Sequence, residues 1–347
     1  MTTALDDLGW TEALDASFRE RAVHGAFPAR VSAMHQGACD ALAAEGAFRL
    51  PIPPSRQGLA VGDWVVLGPG DLPRLLARLP RGSALTRQAA GRATAPQVLA
   101  ANVDLALLVT AIGEDFSPRR LERYLAVAHA GGVRPAIVLN KLDRDPSGIG
   151  RWLRQAEDVA PDTPVVAATT LWAGGLDDLE PLLARGRTVV LLGSSGVGKS
   201  SIVNMLLGEE AVAVAPIRER DDTGRHTTSH RQLHQLGDRG LLIDTPGLRE
   251  LGLWDTAGLD AAFSDLVALA EGCRFRDCTH GDEPECAVVE AVQAGRLDAD
   301  RLESWRQLRR EAAAREMLRD PSAQKAAGRR MAKMIKEVAE ERRRRGR

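Results

Sequence analysis

Residues 193–200 read Gly-Ser-Ser-Gly-Val-Gly-Lys-Ser, the residue types and spacing of a phosphate-binding loop. Thr188-Val189-Val190-Leu191-Leu192 runs into them as a buried strand, and the helical pattern Ser201-Ile202-Val203-Asn204-Met205-Leu206-Leu207 follows. A strand, a glycine-rich turn and a helix N-terminus aim backbone N–H groups at one anion. Gly193, Ser194, Ser195, Gly196, Val197, Gly198 and Ser201 are therefore expected to cradle phosphates. Lys199 is expected to reach the β- and γ-phosphates as a compact charge and assist catalysis, and the Ser200 hydroxyl to ligate Mg²⁺. Arginine is too wide for the lysine's task. The chain has five lysines (Lys141, Lys199, Lys325, Lys333, Lys336) among 46 Lys and Arg, and two of the five fall in nucleotide motifs.

Three further motifs stand at the ends of apolar runs. Asn140-Lys141-Leu142-Asp143 follows Ala136 to Leu139. A carboxylate at Asp143 accepts both the N1–H and the exocyclic amine of guanine, a donor pair that adenine lacks, while the Lys141 stem lies along the base. This pattern predicts GTP as substrate. Asp244-Thr245-Pro246-Gly247 ends the run Leu241 to Ile243, where Asp244 supports Mg²⁺ and the Gly247 N–H senses the γ-phosphate. Between them lies Thr223-Gly224-Arg225-His226-Thr227-Thr228, in which Thr227 and Thr228 compete for Mg²⁺ and Thr228 is preferred. Leu248 follows Gly247 where many GTPases have a water-orienting glutamine, so His226 is the candidate catalytic group.

Cys273, Cys278, His280 and Cys286 form a separate constellation. Three thiolates and one imidazole make a closed tetrahedral set for a structural Zn²⁺. Cys39 lies far from them in sequence and reads as a small buried residue.

The elements that position these groups follow from length and patterning. At 347 residues and 44% hydrophobic, the chain can build about two or three domains. The start carries Asp6 and Asp7 and no apolar run, and no later stretch has the roughly 18 uninterrupted apolar residues of a membrane span. With four cysteines, three of them in the metal set, a reducing cytoplasm is expected. Residues 1–29 form a weakly amphipathic lead without an assigned role. Residues 30–87 hold short β-like runs (Ala29 to Met34, Ala47 to Leu50, Trp64 to Leu67, Leu75 to Leu79) between Gly, Pro and Asp. That spacing predicts a small OB-fold-like barrel. Residues 88–100 read as a polar linker.

From residue 101 to 271 near-continuous apolar runs alternate with helical patterns such as Ser117 to Ala130 and Ser147 to Val159. Such runs predict a doubly wound, mostly parallel sheet that binds ligands beyond its strand C-termini. The guanine motif precedes the phosphate loop, the reverse of an ordinary small GTPase, which predicts a circular permutation. Residues 272–320 are expected to be an α-rich zinc domain with one helix over Ala287 to Met317. Residues 321–347 form a basic tail, with ten Lys/Arg against three Glu from Lys325 onward inside a chain of net charge −1. Its run Arg342 to Arg345 points to nucleic acid.

These motifs, with Leu8-Gly9-Trp10, Val61-Gly62-Asp63-Trp64-Val65 and Ala100-Ala101-Asn102-Val103-Asp104, resemble the bacterial small-subunit-dependent GTPases of the RsgA/YjeQ family over nearly the whole chain. The resemblance implies an N-terminal OB-fold, a permuted GTPase domain and a C-terminal zinc domain. It implies GTP hydrolysis, slow until the small ribosomal subunit binds, in late maturation of that subunit and through contacts to its rRNA; the chain is expected to act as a monomer. Two positions depart from the family pattern. Ala167-Ala168 replaces the usual Ser-Ala of the guanine-facing loop, leaving the Ala168 N–H to face the base, and Ser229 stands where a third threonine is common. A P-loop ATPase or kinase, which Asp143 argues against, and a non-catalytic RNA-binding scaffold are the competing readings.

Overall fold

The computed structural model describes residues 4–53, 58–70, 72–88, 96–208, 231–244, 257–281 and 283–319. The described residues through Asp244 form one compact unit and residues 257–319 belong to a second.

The first unit opens with helices α1 (Ala4–Asp7) and α2 (Glu12–Arg19), the latter capped by the Thr11 hydroxyl, which accepts from the Leu14 N–H. Strands β1 (Phe27–His35), β2 (Ala38–Ala43), β3 (Gly46–Pro51), β4 (Trp64–Leu67) and β5 (Leu75–Arg78) follow. They pair antiparallel in the order β3-β2-β1-β4-β5. Cys39 is fully buried in their core beside Val31, Ala41 and Leu50. Burial pushes its thiol up to about 11, so it packs as a neutral group.

Strands β6 (Ala84–Gln88) and β7 (Pro96–Ala101) pair with each other. The stretch expected to be a linker therefore contains a strand. Leu99, Ala100 and Ala101 are buried, and their short apolar run is hidden in sequence by the polar residues before it.

The remaining elements alternate: β8 (Leu105–Ala111), α3 (Pro118–Ala130), β9 (Arg134–Asn140), α4 (Ile149–Val159), β10 (Val165–Ala167), β11 (Thr188–Leu192), α5 (Lys199–Leu207), β12 (Gln232–Gln235) and β13 (Leu241–Asp244). Strands β10-β9-β8-β11-β13 are parallel neighbours, and β12 lies antiparallel beyond β13. Residues Leu105, Leu107 and Val109 face a core shared with Ile202, Val203 and Leu206 of α5. Helix α3 packs on β8 and β9. Because β9 and β11 run the same way, Asn140 and Gly193 leave the sheet at one edge.

The small antiparallel strands and this sheet are continuous, since β1 pairs β12 at Ala33↔Gln232. A register shift between Val31 and Ala33 bends β1 just before that contact. Arg30, 1% exposed, lies near the same junction. Its guanidinium donates to the carbonyls of Leu8 (2.5 Å), Gly62 (3.3 Å) and Asn102 (2.8 Å), fastening three distant segments together. Burial lowers its pKa to about 10, opposed by the charges of Asp104 and Asp63, so it stays protonated at neutral pH.

In the second unit the described helices are α6 (Ala257–Ala262), α7 (Ser264–Ala270), α8 (Ala287–Gln293) and α9 (Ala299–Arg319). The single helix expected over Ala287 to Met317 is broken. Gly295 takes φ +69°, a left-handed turn that ends α8, and the Asp298 carboxylate accepts from the Asp300 N–H to restart the chain as α9.

Arg30→Met should strand the carbonyls of Leu8 and Asn102, while that of Gly62 keeps the Asn102 side-chain amide as donor. At about 1–3 kcal/mol for each unsatisfied group, a loss on the order of 3 kcal/mol or more is expected. Thermal and urea denaturation followed by circular dichroism check it, and a change below about 1 kcal/mol would show that water replaces the guanidinium.

Candidate functional site

The phosphate loop begins where β11 leaves the core. Gly193 is required by space: a Cβ there would meet the Val109 carbonyl oxygen at 2.3 Å. Gly198 is required twice, by φ +97° and by the Asn140 amide nitrogen, which would lie 2.2 Å from its Cβ. Lys199 starts α5, and its ammonium donates to the carbonyls of Gly193 (2.8 Å) and Ser194 (2.6 Å), so it spans the loop. Val197 is buried and anchors the loop in the sheet's core, whereas Ser195 and Gly196 are exposed. Ser200 and Ser201 occupy the first turn of α5, half-buried. The loop thus offers N–H groups and one ammonium to an anion.

The motif ending β9 braces this loop. Asn140 is 1% exposed and its Nδ2 donates to the Val197 carbonyl at 2.8 Å. Its Oδ1 is buried without a partner among the described residues. Lys141 takes φ +63°, which turns the chain sharply, and its ammonium donates to the Gly196 carbonyl. Burial lowers the Lys141 pKa and Arg144 adds to this, while Asp115 and Asp143 oppose it. Two motifs far apart in sequence are therefore cross-linked by both side chains of Asn140-Lys141.

Asp143 is held by a residue that the motif reading missed. The Thr169 hydroxyl donates to Asp143 Oδ1 at 3.1 Å, and Thr169 follows directly on the Ala167-Ala168 pair that lacks the usual serine. A hydroxyl is thus supplied from one position further along. The Ala168 N–H, expected to face the base, instead donates to the Leu139 carbonyl at 2.7 Å. Extension of the β9–β10 pairing by one residue commits that donor to the sheet. Arg120 on α3 was also missed: its NH1 donates to the Ser194 hydroxyl at 3.0 Å. No spacing rule links an arginine on that helix to the loop. Asp244 closes β13, opposite Gln232. His226, Thr227, Thr228, Gly247, Leu248 and the basic tail lie outside the described residues.

The second unit carries the sulfur cluster. The Cys273 and Cys286 sulfurs are 3.9 Å apart and stand 3.6 Å and 3.5 Å from His280 Nδ1, with Cys278 completing a set whose ligand atoms all lie within 4.8 Å. A tetrahedral Zn²⁺ with bonds of about 2.3 Å to sulfur and 2.0 Å to nitrogen has edges of about 3.8 and 3.5 Å, so the donor set fits that ion. Burial pushes the Cys278 thiol up to about 11, and a cation is what would let it deprotonate. His280 (φ +59°) and Glu285 (φ +57°) both hold left-handed backbone in this loop. Glu283 knits it by accepting from the N–H groups of Thr279 (2.9 Å) and Gly281 (2.7 Å), and the Trp305 ring lies 5.2 Å from the imidazole.

Comparison with known proteins gives a consistent match. The pattern of the RsgA GTPase family matches residues 78–254. A protein of Streptomyces coelicolor named small ribosomal subunit biogenesis GTPase RsgA is 42% identical, over 89% of this chain and 87% of its own length. Among solved structures, YjeQ from Thermotoga maritima superposes with a TM-score of 0.63 at 24% identity, covering 83% of this chain and 99% of its own. YloQ, described as a circularly permuted GTPase, gives 0.62 at 24%, covering 84% and 96%. At that identity the two structures establish the permuted fold alone.

Asp143→Asn should weaken binding of GDP and relatively favour xanthosine diphosphate, which presents an oxygen where guanine has its amine. Calorimetric titration of both nucleotides measures the ratio; an unchanged guanine preference would remove Asp143 from the base site. Cys278→Ala should lose bound zinc by elemental analysis and melt α8 and α9 at lower temperature, with GDP affinity within about twofold of the parent. Stoichiometric zinc in that variant would exclude the site.

Proposed function

The chain belongs to the RsgA GTPase family, and from that premise we propose that it is a Mg²⁺-dependent GTP hydrolase acting in late maturation of the small ribosomal subunit. The observation that carries this reading is the brace between the two motifs, in which Asn140 and Lys141 bond the loop of Val197 and Gly196 while Thr169 orients Asp143. A phosphate cradle and a guanine-reading carboxylate on one sheet edge fit GTP better than ATP. In this reading Lys199 meets the phosphates, Ser200, Thr228 and Asp244 hold Mg²⁺ directly or through water, and the Gly247 N–H senses the γ-phosphate.

The strand order β3-β2-β1-β4-β5 supports an OB-fold for residues 30–87, a platform suited to rRNA. Residues 101–271 are the permuted GTPase domain and 272–320 a zinc domain whose metal is structural, with all four positions filled by protein. The basic residues after Lys325 add a second, salt-sensitive hold on rRNA. No described helix is long and apolar enough to cross a membrane. We place the protein in the cytoplasm as a monomer that leaves the subunit when GTP is hydrolysed.

GTP turnover of the purified chain, measured with and without small ribosomal subunits, tests the reading. Strong stimulation is expected, and equal rates would favour a scaffold with a structural nucleotide. His226→Ala should keep GTP affinity and lose on the order of a hundredfold of the stimulated rate, the effect of removing one water-positioning or proton-transfer group. A stimulated rate within about twofold of the parent would place that duty on the ribosome or another residue.

A further inference from the structure

The nucleotide motifs use the strand C-termini and leave the opposite end of the same sheet unexplained. There a cleft of about 530 Å³ opens between helix α2 and the starts of the parallel strands, within the roughly 300–1,000 Å³ of small-molecule sites. Leu14 and Ser17 of α2 form one wall, and Asp104 and Arg134 contribute the exposed polar groups opposite, with Arg30 and Thr188 buried behind them. Asp104 immediately precedes β8, Arg134 begins β9 and Thr188 begins β11.

The charges around this cleft do not balance. Arg81 is matched by a two-pronged bond to Asp63 at 2.6 and 2.7 Å. Arg30 is held by carbonyls alone, so its charge meets no carboxylate in hydrogen-bond contact. Arg134 is exposed and has no hydrogen bond or ion pair of its side chain among the described residues. Against these two guanidinium groups stands Asp104, one of whose oxygens already accepts the Thr188 N–H at 2.7 Å. The Thr188 hydroxyl is buried and finds no partner among the described residues. An excess positive charge beside a carboxylate with one oxygen uncommitted describes a complementary ligand: anionic at one end and bearing hydroxyl donors at the other.

We infer that this cleft is a second ligand site, taking a small polyhydroxylated oxyanion whose phosphate or carboxylate meets Arg134 and whose hydroxyls meet Asp104. The N-terminal lead gains a purpose as the wall of that site. The inference stands apart from GTP hydrolysis, because no group in the cleft belongs to the phosphate loop or the guanine motif.

Isothermal titration of the full chain, with GDP saturating the phosphate loop, tests it with three probes: ribose 5-phosphate, gluconate and neutral ribose. At least one of the two oxyanions should bind with Kd below about 1 mM, and ribose at least about tenfold more weakly. Binding by ribose 5-phosphate alone assigns the anion as phosphate, and by gluconate alone as carboxylate. Arg134→Glu, on an exposed side chain, should weaken the binding oxyanion about tenfold or more with GDP affinity unchanged. Leu14→Trp should fill the cleft from the helix side and do the same. Failure of both oxyanions to bind, equal binding of ribose, or binding indifferent to Arg134→Glu would overturn the inference.

Discussion

The nucleotide end of the molecule depends on one hydrogen bond between strands that are not neighbours: the Asn140 amide on the Val197 carbonyl. Strand β8 lies between the two, so the contact must reach over a strand top, and Gly198 exists to let it. Buried in the sheet edge, such a bond is worth more for geometry than for energy, since it fixes where the loop can sit. It also explains why permutation is tolerated. A tie between two strand ends is indifferent to which strand comes first along the chain, provided the ladder places both at one edge.

Much of the fold was legible because its strands are buried on both faces. The runs at β8, β9, β11 and β13 carry almost no polar residue, and their order along the sequence exposed the permutation. Helix α3 was read to within a residue because Ser117-Pro118 marks its start and Gly131 its end. The failures share a cause. The strand β7 and the break at Gly295 depend on short local signals that a neighbouring polar or helical stretch overwhelms. The site was legible wherever a motif is contiguous. Thr169, Arg120 and the committed N–H of Ala168 are relations between elements, visible only once the ladder is built.

The two polar anchors of the molecule solve different problems. In the first unit Arg30 gathers carbonyls of Leu8, Gly62 and Asn102 that no regular element satisfies, so one side chain substitutes for missing ladder bonds. In the second unit the described apolar core is small, and the loop between Cys273 and Cys286 holds residues with left-handed backbone. There a ligand set, with Glu283 bonding the intervening N–H groups, takes the part that packing plays elsewhere.

The pairing of β1 with β12 has a bearing on autonomy. Strand β12 would otherwise be the last strand of the parallel sheet's antiparallel side, with a row of unpaired backbone donors and acceptors open to any other chain. At the far margin β10 is only three residues long, the short edge that natural sheets use to discourage such pairing. Strand β1, joined to β12 at Ala33 and Gln232, therefore covers the start of that margin. A nucleotide-binding half cut free of residues before β6 would carry that margin bare into solution, open to the pairing that β1 now begins.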